Sequence, residues 1–317
     1  MTETKKRPVI LDCDPGVDDA VALFMTAAHG SFDLLGVTPV NGNKPLAVCE
    51  RNALQLMELI HRENIPVLRG APKGIFVENR TSGDVHGASG LGSAVFPDPI
   101  KTIEDEYAWD FIHRQALAHK GELEILAIGP LTNIGTALLK YPDLPQYIKQ
   151  IVIMGGGITM GNWTGAAEFN IWADPDAARL VFRSGIHIVM ASLEICFEAR
   201  IMADEVAALK TNGGPASSAA GLFIGEREAG SGGKGAILCD AVAAAYMIDP
   251  SVITESFEAN VDVETGGSYA EGRTVAKRIY REFVNDTANT TVLWHIDRPR
   301  FAQMIIDLCK QLDDSNT

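Results

Sequence analysis

The chain has 317 residues, 46% of them hydrophobic and 21% charged, and its 41 Asp and Glu against 27 Lys and Arg leave a net charge of −14. That apolar share excludes a disordered chain and is enough to build one large α/β domain, 1–317, or two smaller ones. The acidity works against nucleic-acid and membrane-surface roles, because it offers no general attraction for phosphate backbones or anionic lipid.

The elements follow in chain order. Met1 to Arg7 is polar and carries no secretory apolar region, and Val9-Ile10-Leu11 then reads as a buried strand. Asp18 to His29 reads as a helix, Leu34 to Val40 as a strand, and Pro45 to Arg62 as a helix with apolar residues at helical spacing. A strand at Ile65 to Leu68, a helix near Glu104 to His119, and strands at Leu123 to Ile128 and Ile151 to Met154 come next. A helix at Pro175 to Phe182 and a strand at Ile186 to Met190 complete the repeating part. The strands lack polar alternation, as expected where helices cover both faces. The fold class is α/β: an open, mostly parallel, doubly wound sheet. A small antiparallel addition is expected at Ile253 to Trp294, before a last helix near Arg300 to Leu312. No repeat or linker divides the chain, so one domain is expected.

Residues 80–98 and 210–236 break the rhythm as long Gly- and Ser-rich stretches, which fit either lids over a site or plain flexibility. No apolar run reaches the ~18 residues that cross a bilayer. The five cysteines, Cys13, Cys49, Cys196, Cys239 and Cys309, form no C-x-x-C pair and are odd in number, so reduced thiols in a cytoplasmic protein are expected. The N-x-[ST] matches at Asn162, Asn285 and Asn289 are then chance.

The most informative segment is Asp12-Cys13-Asp14-Pro15-Gly16-Val17-Asp18-Asp19, four carboxylates in eight residues where a strand turns into a helix. One acidic residue there is an ordinary cap. Four repel one another, and with no Lys or Arg in the turn a hard divalent cation is the natural partner. Such a cation can activate water while a carboxylate takes the proton, which points to hydrolysis. A strand followed by D-x-D also opens the haloacid-dehalogenase-type phosphatases, with Asp12 as nucleophile, but their later lysine and G-D-x-x-x-D pair are missing.

The full D-x-D-P-G-x-D-D pattern resembles the calcium-dependent nucleoside hydrolases, the inosine–uridine-preferring nucleosidases. Further landmarks follow in that family's order: Thr38 to Asn43, Val85 to Gly90, Gly129 to Ile134, Val152 to Gly157, Asn162 with Ala167 to Ile171, Asp174 to Ala178, and Cys239-Asp240. The resemblance implies a ribonucleoside hydrolase that releases ribose and free base with inversion at C1′, and Ca2+ as cofactor. It implies calcium ligands Asp14, Asp19, Asp240 and the Thr132 carbonyl, with Asp14 also the general base and Asn43 orienting the attacking water. By the same resemblance Asp18 takes the 2′-hydroxyl, Asp240 and Asn170 hold the diol, and Asn162 and Glu168 take the 5′-hydroxyl. Met154 and His86 complete the substrate-binding set, and Asp12 fixes the turn from behind. It also implies a homodimer or homotetramer acting on small ribonucleosides. Many members carry His before the late Asp; here Cys239 stands there, as in a subset of the family. The proton donor to the base therefore stays open among Cys239, His86, Glu226 and Arg227, and a non-catalytic ribose binder is the alternative. Trp163 is either a stacking platform or packing, and base preference is not legible.

Overall fold

A computed structural model of the chain describes residues 5–78, 80–83, 85–278 and 287–315. Asn285 of the second N-x-[ST] match and part of the 253–294 stretch lie outside them.

β1 (Arg7–Cys13), α1 (Val17–Ala28), β2 (Phe32–Pro39) and α2 (Leu46–Leu59) open the fold. The two-residue β3 (Leu68–Arg69) pairs with β4 (Glu104–Tyr107), and α3 (Ala108–His119), β5 (Leu123–Ala127), α4 (Thr132–Lys140) and β6 (Ile148–Met154) follow. Then come α5 (Phe169–Ala173), α6 (Pro175–Phe182), β7 (Ile188–Ala191), α7 (Leu193–Glu198), β8 (Arg200–Ile201), α8 (Ala203–Asn212), α9 (Pro215–Gly230), β9 (Ala236–Ile237) and α10 (Cys239–Ile248). β10 (Ile253–Val263), β11 (Thr274–Arg278), β12 (Thr290–Ile296) and α11 (Arg298–Asp314) close the chain. The main sheet has the order β11-β10-β12-β7-β6-β5-β1-β2. It is parallel from β2 to β12, and β10 runs antiparallel between β12 and β11. The antiparallel addition therefore extends the same sheet.

Both faces of the sheet are covered, which explains the unbroken apolar strands. In β1, Val9, Leu11 and Cys13 pack into one core with α1, α2, α9, α10 and α11. Ile10 points the other way, into a second core with α3, α4 and α6. α1 is buried on nearly every side, so it is central rather than amphipathic.

Two short expectations shift. The stretch at Ile65 to Leu68 makes one bridge, Val67 to Val37, and its strand is Leu68–Arg69. The acidic Glu104–Tyr107 is strand, and α3 starts only at Ala108.

One expectation is overturned: 210–236 is not a loop but mostly α9. Gly213, at φ +77°, ends α8, and Pro215 sits in the first turn of α9, where its fixed φ suits a helix. The Asp313 carboxylate of α11 accepts from the N–H groups of Ala216 (2.8 Å) and Ser217 (3.0 Å), and so supplies a cap that the local sequence lacks. The small residues Ala216, Ser217, Ala219, Ala220 and Gly221 are buried together with Phe223 and Ile224. Residues 80–83 and 85–98 do remain outside helix and strand.

Glu124, fully buried at the start of β5, accepts from Arg7 Nε (2.8 Å), Lys149 Nζ (3.1 Å) and Gln150 Nε2. Burial raises its carboxyl, but Arg7, Gln150 and Lys149 outweigh that and hold it below the usual range. A depressed folded-state pKa gives stability that is present above the unfolded value of about 4.3 and lost as pH falls through the folded one. Urea midpoints should therefore separate wild type from Glu124→Gln at pH 7 and converge as the pH falls through the folded-state pKa; a gap that persists at full protonation would contradict this.

Candidate active site

In an open parallel sheet, ligands bind beyond the carboxyl ends of the strands. A cleft of about 310 Å³ lies there, next to the ends of β1, β5 and β6. Asp18 of α1, Asn43 after β2, and His86 of the 80–98 segment line it. Met154 ends β6 and lines it too, as do Asn162, and Glu168 and Asn170 at the head of α5. Cys239 and Asp240, in the first turn of α10, close the far wall. The fold thus brings these nine expected residues to one cavity. Asp14, Asp19 and Thr132 lie buried rather than on its surface.

Asp14 is built into the turn. Its Oδ2 accepts the Asn43 N–H at 2.6 Å, while its Oδ1 is buried with no hydrogen-bond partner. Two glycines make the room. A Cβ at Gly129 would lie 2.8 Å from Asp14 Oδ1, and one at Gly42 would overlap Oδ2. Asp19 accepts from the N–H groups of Asp14 (3.1 Å) and Gly16 (2.9 Å), and from Asn43 Nδ2 (3.1 Å). Ligand oxygens of Asp18, Asp19 and Asp240 come within 4.8 Å of one another.

This geometry is costly without a cation. Burial, then Asp19, push the Asp14 carboxyl well above its usual range; burial, then Asp18, push Asp19 to about 6. Burial and the charges of Asp18 and Asp19 raise Asp240 likewise. An orphaned oxygen, an all-oxygen donor set and mutual repulsion are what a hard divalent cation relieves, so the residues fit a metal. The acidic cluster groups Asp18, rather than Asp14, with Asp19 and Asp240. The Thr132 hydroxyl donates to Asp174 Oδ2 at 2.8 Å.

The other groups are held by the backbone. Asn170 Nδ2 donates to the carbonyls of Ile128 (2.9 Å) and Met154 (3.1 Å). Glu168 accepts from the N–H groups of Gly156, Asn170 and Ile171, and burial raises its carboxyl. Asn162 Oδ1 accepts the Phe169 N–H at 2.9 Å. Trp163 lines the cleft and also packs against Phe169 and Trp172.

Asp12 is fully buried, and its Oδ2 accepts from Thr38 Oγ1 (2.6 Å) and Asn133 Nδ2 (2.9 Å). Burial pushes it to about 7. It braces the turn against β2 and α4 through Thr38 and Asn133 and is not part of the cleft lining.

One cation reaches the edge of the acidic turn from far along the chain, and it meets Asp18 alone. Arg227 of α9 donates to Asp18 Oδ1 at 3.0 Å and lies 3.1 Å from His86 Nδ1. Burial pulls His86 down to about 4, so it is neutral near pH 7. Its Nδ1 accepts the Val17 N–H at 3.3 Å, which leaves the ring proton on Nε2. Glu226, the other charged candidate on α9, accepts from Ser93 N–H and Oγ and is not part of the cleft lining.

Comparison with known proteins agrees with this geometry. Residues 9–303 match the family model described as inosine-uridine preferring nucleoside hydrolase. The chain is 36% identical over 304 residues to the pyrimidine-specific ribonucleoside hydrolase RihA of Shewanella woodyi, covering 94% of this chain and 96% of that one. It is 35% identical over 308 residues to RihA of Escherichia coli strain K12, with 96% and 98% covered. Among solved structures, a purine-preferring ribonucleoside hydrolase from Gardnerella vaginalis superposes with a TM-score of 0.89 at 29% identity, covering 98% of this chain and all of that one. A plant nucleoside hydrolase gives 0.88 at 28%, with 96% and 99% covered.

Proposed function

The chain belongs to the inosine-uridine preferring nucleoside hydrolase family and hydrolyses the N-glycosidic bond of ribonucleosides; from that premise we propose that it is a calcium-dependent enzyme that prefers pyrimidine ribonucleosides. The unpartnered buried oxygen of Asp14, beside the carboxylates of Asp18, Asp19 and Asp240, carries the reading of the site. The pyrimidine preference rests on the relatives named as pyrimidine-specific at 35–36% identity.

Asp14, Asp19, Asp240 and the Thr132 carbonyl would hold the calcium, which when bound lowers the pKa of a water and anchors the ribose diol. Asp14 accepts the proton of the attacking water through Oδ1, and Asn43, which donates to Asp14 O (3.1 Å) and Asp19, orients that water. Asp18 accepts the 2′-hydroxyl. Asn170, whose amide nitrogen is held by two carbonyls, turns its oxygen to the diol together with Asp240. Glu168 and Asn162 receive the 5′-hydroxyl. As the C1′–N bond lengthens the sugar becomes cationic, and this ring of carboxylates stabilises that state more than the neutral ground state. Attack opposite the base inverts C1′. The same proposal places a single-domain protein in the cytoplasm as a homodimer or homotetramer, supported by the resemblance and by exposed apolar side chains such as Phe76 and Leu139. Among the described residues no helix is long and apolar enough to cross a membrane.

Reducing-sugar release should be seen with uridine and cytidine, fall at least about tenfold for adenosine, and stop with chelator until calcium is restored. Equal turnover of all bases would overturn the preference, and full activity in chelator would overturn the metal.

A further inference from the structure

We infer that Arg227 stabilises the departing base as an anion, and so selects ribosides whose base carries a carbonyl oxygen next to the glycosidic nitrogen. The inference rests on the nucleoside hydrolase reading above and assigns the leaving-group half of that reaction.

Position is the first argument. Arg227 lines the cleft, and its Nη2 is anchored on Asp18 Oδ1 (3.0 Å) and beside His86 Nδ1 (3.1 Å). Asp18 takes the 2′-hydroxyl in the proposed reaction, and C2′ is bonded to C1′, which carries the base. A guanidinium fixed on Asp18 therefore stands within reach of the C1′ substituent. Nη2 is the only nitrogen of that guanidinium with a protein hydrogen bond among the described residues, which leaves further donors of the fork for a ligand.

Rigidity is the second. The neighbouring Glu226 accepts from Ser93 N–H (3.2 Å) and Oγ, docking this turn of α9 on the segment that carries His86. A preorganised charge costs no reorganisation when the bond breaks, which is what makes such groups effective.

The third argument is chemical. The histidine beside Arg227 offers no acid: His86 is neutral near pH 7, its Nδ1 accepts the Val17 N–H, and its one ring proton, on Nε2, is the N–H of a neutral imidazole. Arg227 cannot supply a proton either, because a guanidinium stays charged at any working pH. It acts by charge and hydrogen bonding. The electron pair of the C1′–N bond goes to the base, the water oxygen bonds C1′, and the water proton goes to Asp14. The base leaves as an anion and takes its proton from solvent. Pyrimidin-2-ones place a carbonyl oxygen beside the bonded nitrogen and spread the charge onto it, where the fork can meet it. Purines present a ring nitrogen there instead.

The test compares uridine with p-nitrophenyl β-D-ribofuranoside, whose nitrophenolate leaves without assistance, in wild type, Arg227→Gln and Arg227→Lys. Both substrates need the same ribose contacts. The uridine-to-nitrophenyl ratio of kcat should fall about thirtyfold or more in Arg227→Gln and partly recover in Arg227→Lys. Equal loss on both substrates would overturn the inference, since Arg227 would then act through Asp18 or by holding the loop. Should melting curves show Arg227→Gln unfolded, the Arg227→Lys ratio decides: a fall supports the role and an unchanged ratio overturns it. Release from neither substrate by wild type would overturn the hydrolase reading itself, and this inference with it.

Discussion

Asp14→Asn should lower kcat for ribose release by about 10³-fold or more while the protein keeps its fold. A positioned general base contributes roughly 10²–10⁴-fold, and Asp14 is also proposed to hold the metal, so both losses fall on one side chain. Asn is nearly isosteric and its side-chain oxygen can still accept the Asn43 N–H, so the turn keeps that contact. Stability should not fall and should rise slightly in calcium-free buffer. In the wild type, burial and Asp19 raise the Asp14 carboxyl, meaning that the folded state resists its ionisation; a neutral amide escapes that penalty. Calcium titration by calorimetry beside the kinetics separates the two roles. Loss of turnover with binding weakened tenfold or more is the expected pattern. Near-wild-type kcat at saturating calcium would remove Asp14 from the chemistry.

The carboxylates of this site were legible because they are adjacent in the chain and their mutual repulsion can be counted without coordinates. The strands were legible for a similar reason: two-sided burial leaves Val9 to Leu11 and Ile151 to Met154 as plain apolar runs. What stayed hidden depends on partners far away in sequence. α9 looked like a loop because its cap is Asp313, nearly 100 residues downstream, and because its glycines and serines, poor helix formers alone, are what let it pack closely. The same misreading put Glu226 and Arg227 on one flexible lid. In the fold they diverge, Glu226 to Ser93 and Arg227 to Asp18 and His86. The one cation that reaches Asp18 among the described residues is Arg227, 209 residues away, and Asp14, Asp19 and Asp240 gain nothing from it. No local pattern carries that information. A helical reading of the run from Pro215 to Gly230, with Gly213-Gly214 as its boundary, would have been the available signal.

Gly42→Ala should lower kcat substantially, although it deletes no functional group. The position was legible as part of an N-G-N turn, but not its reason. A Cβ there would overlap Asp14 Oδ2 and stand 2.7 Å from Pro130 Cδ. Gly42 is not among the residues of positive φ, so alanine meets no backbone strain and the conflict is with those neighbours alone. Asp14 cannot retreat freely. Its Oδ2 is bound by the Asn43 N–H, and Gly129 closes the other side, where a Cβ would meet Oδ1 at 2.8 Å. The carboxylate must rotate or the 41–44 turn must shift, and either moves Oδ1 away from the acidic cluster. Overpacking of this kind costs about 1–3 kcal/mol of stability, and a displacement near 1 Å at the chemistry costs about 10²-fold in rate. Exposed Gly30, where an added Cβ meets nothing within 4 Å, is the control, and Gly30→Ala should leave both quantities near wild type. A Gly42→Ala enzyme with wild-type kcat and calcium affinity would show that the placement of Asp14 tolerates movement, and the glycine cradle would lose its catalytic meaning.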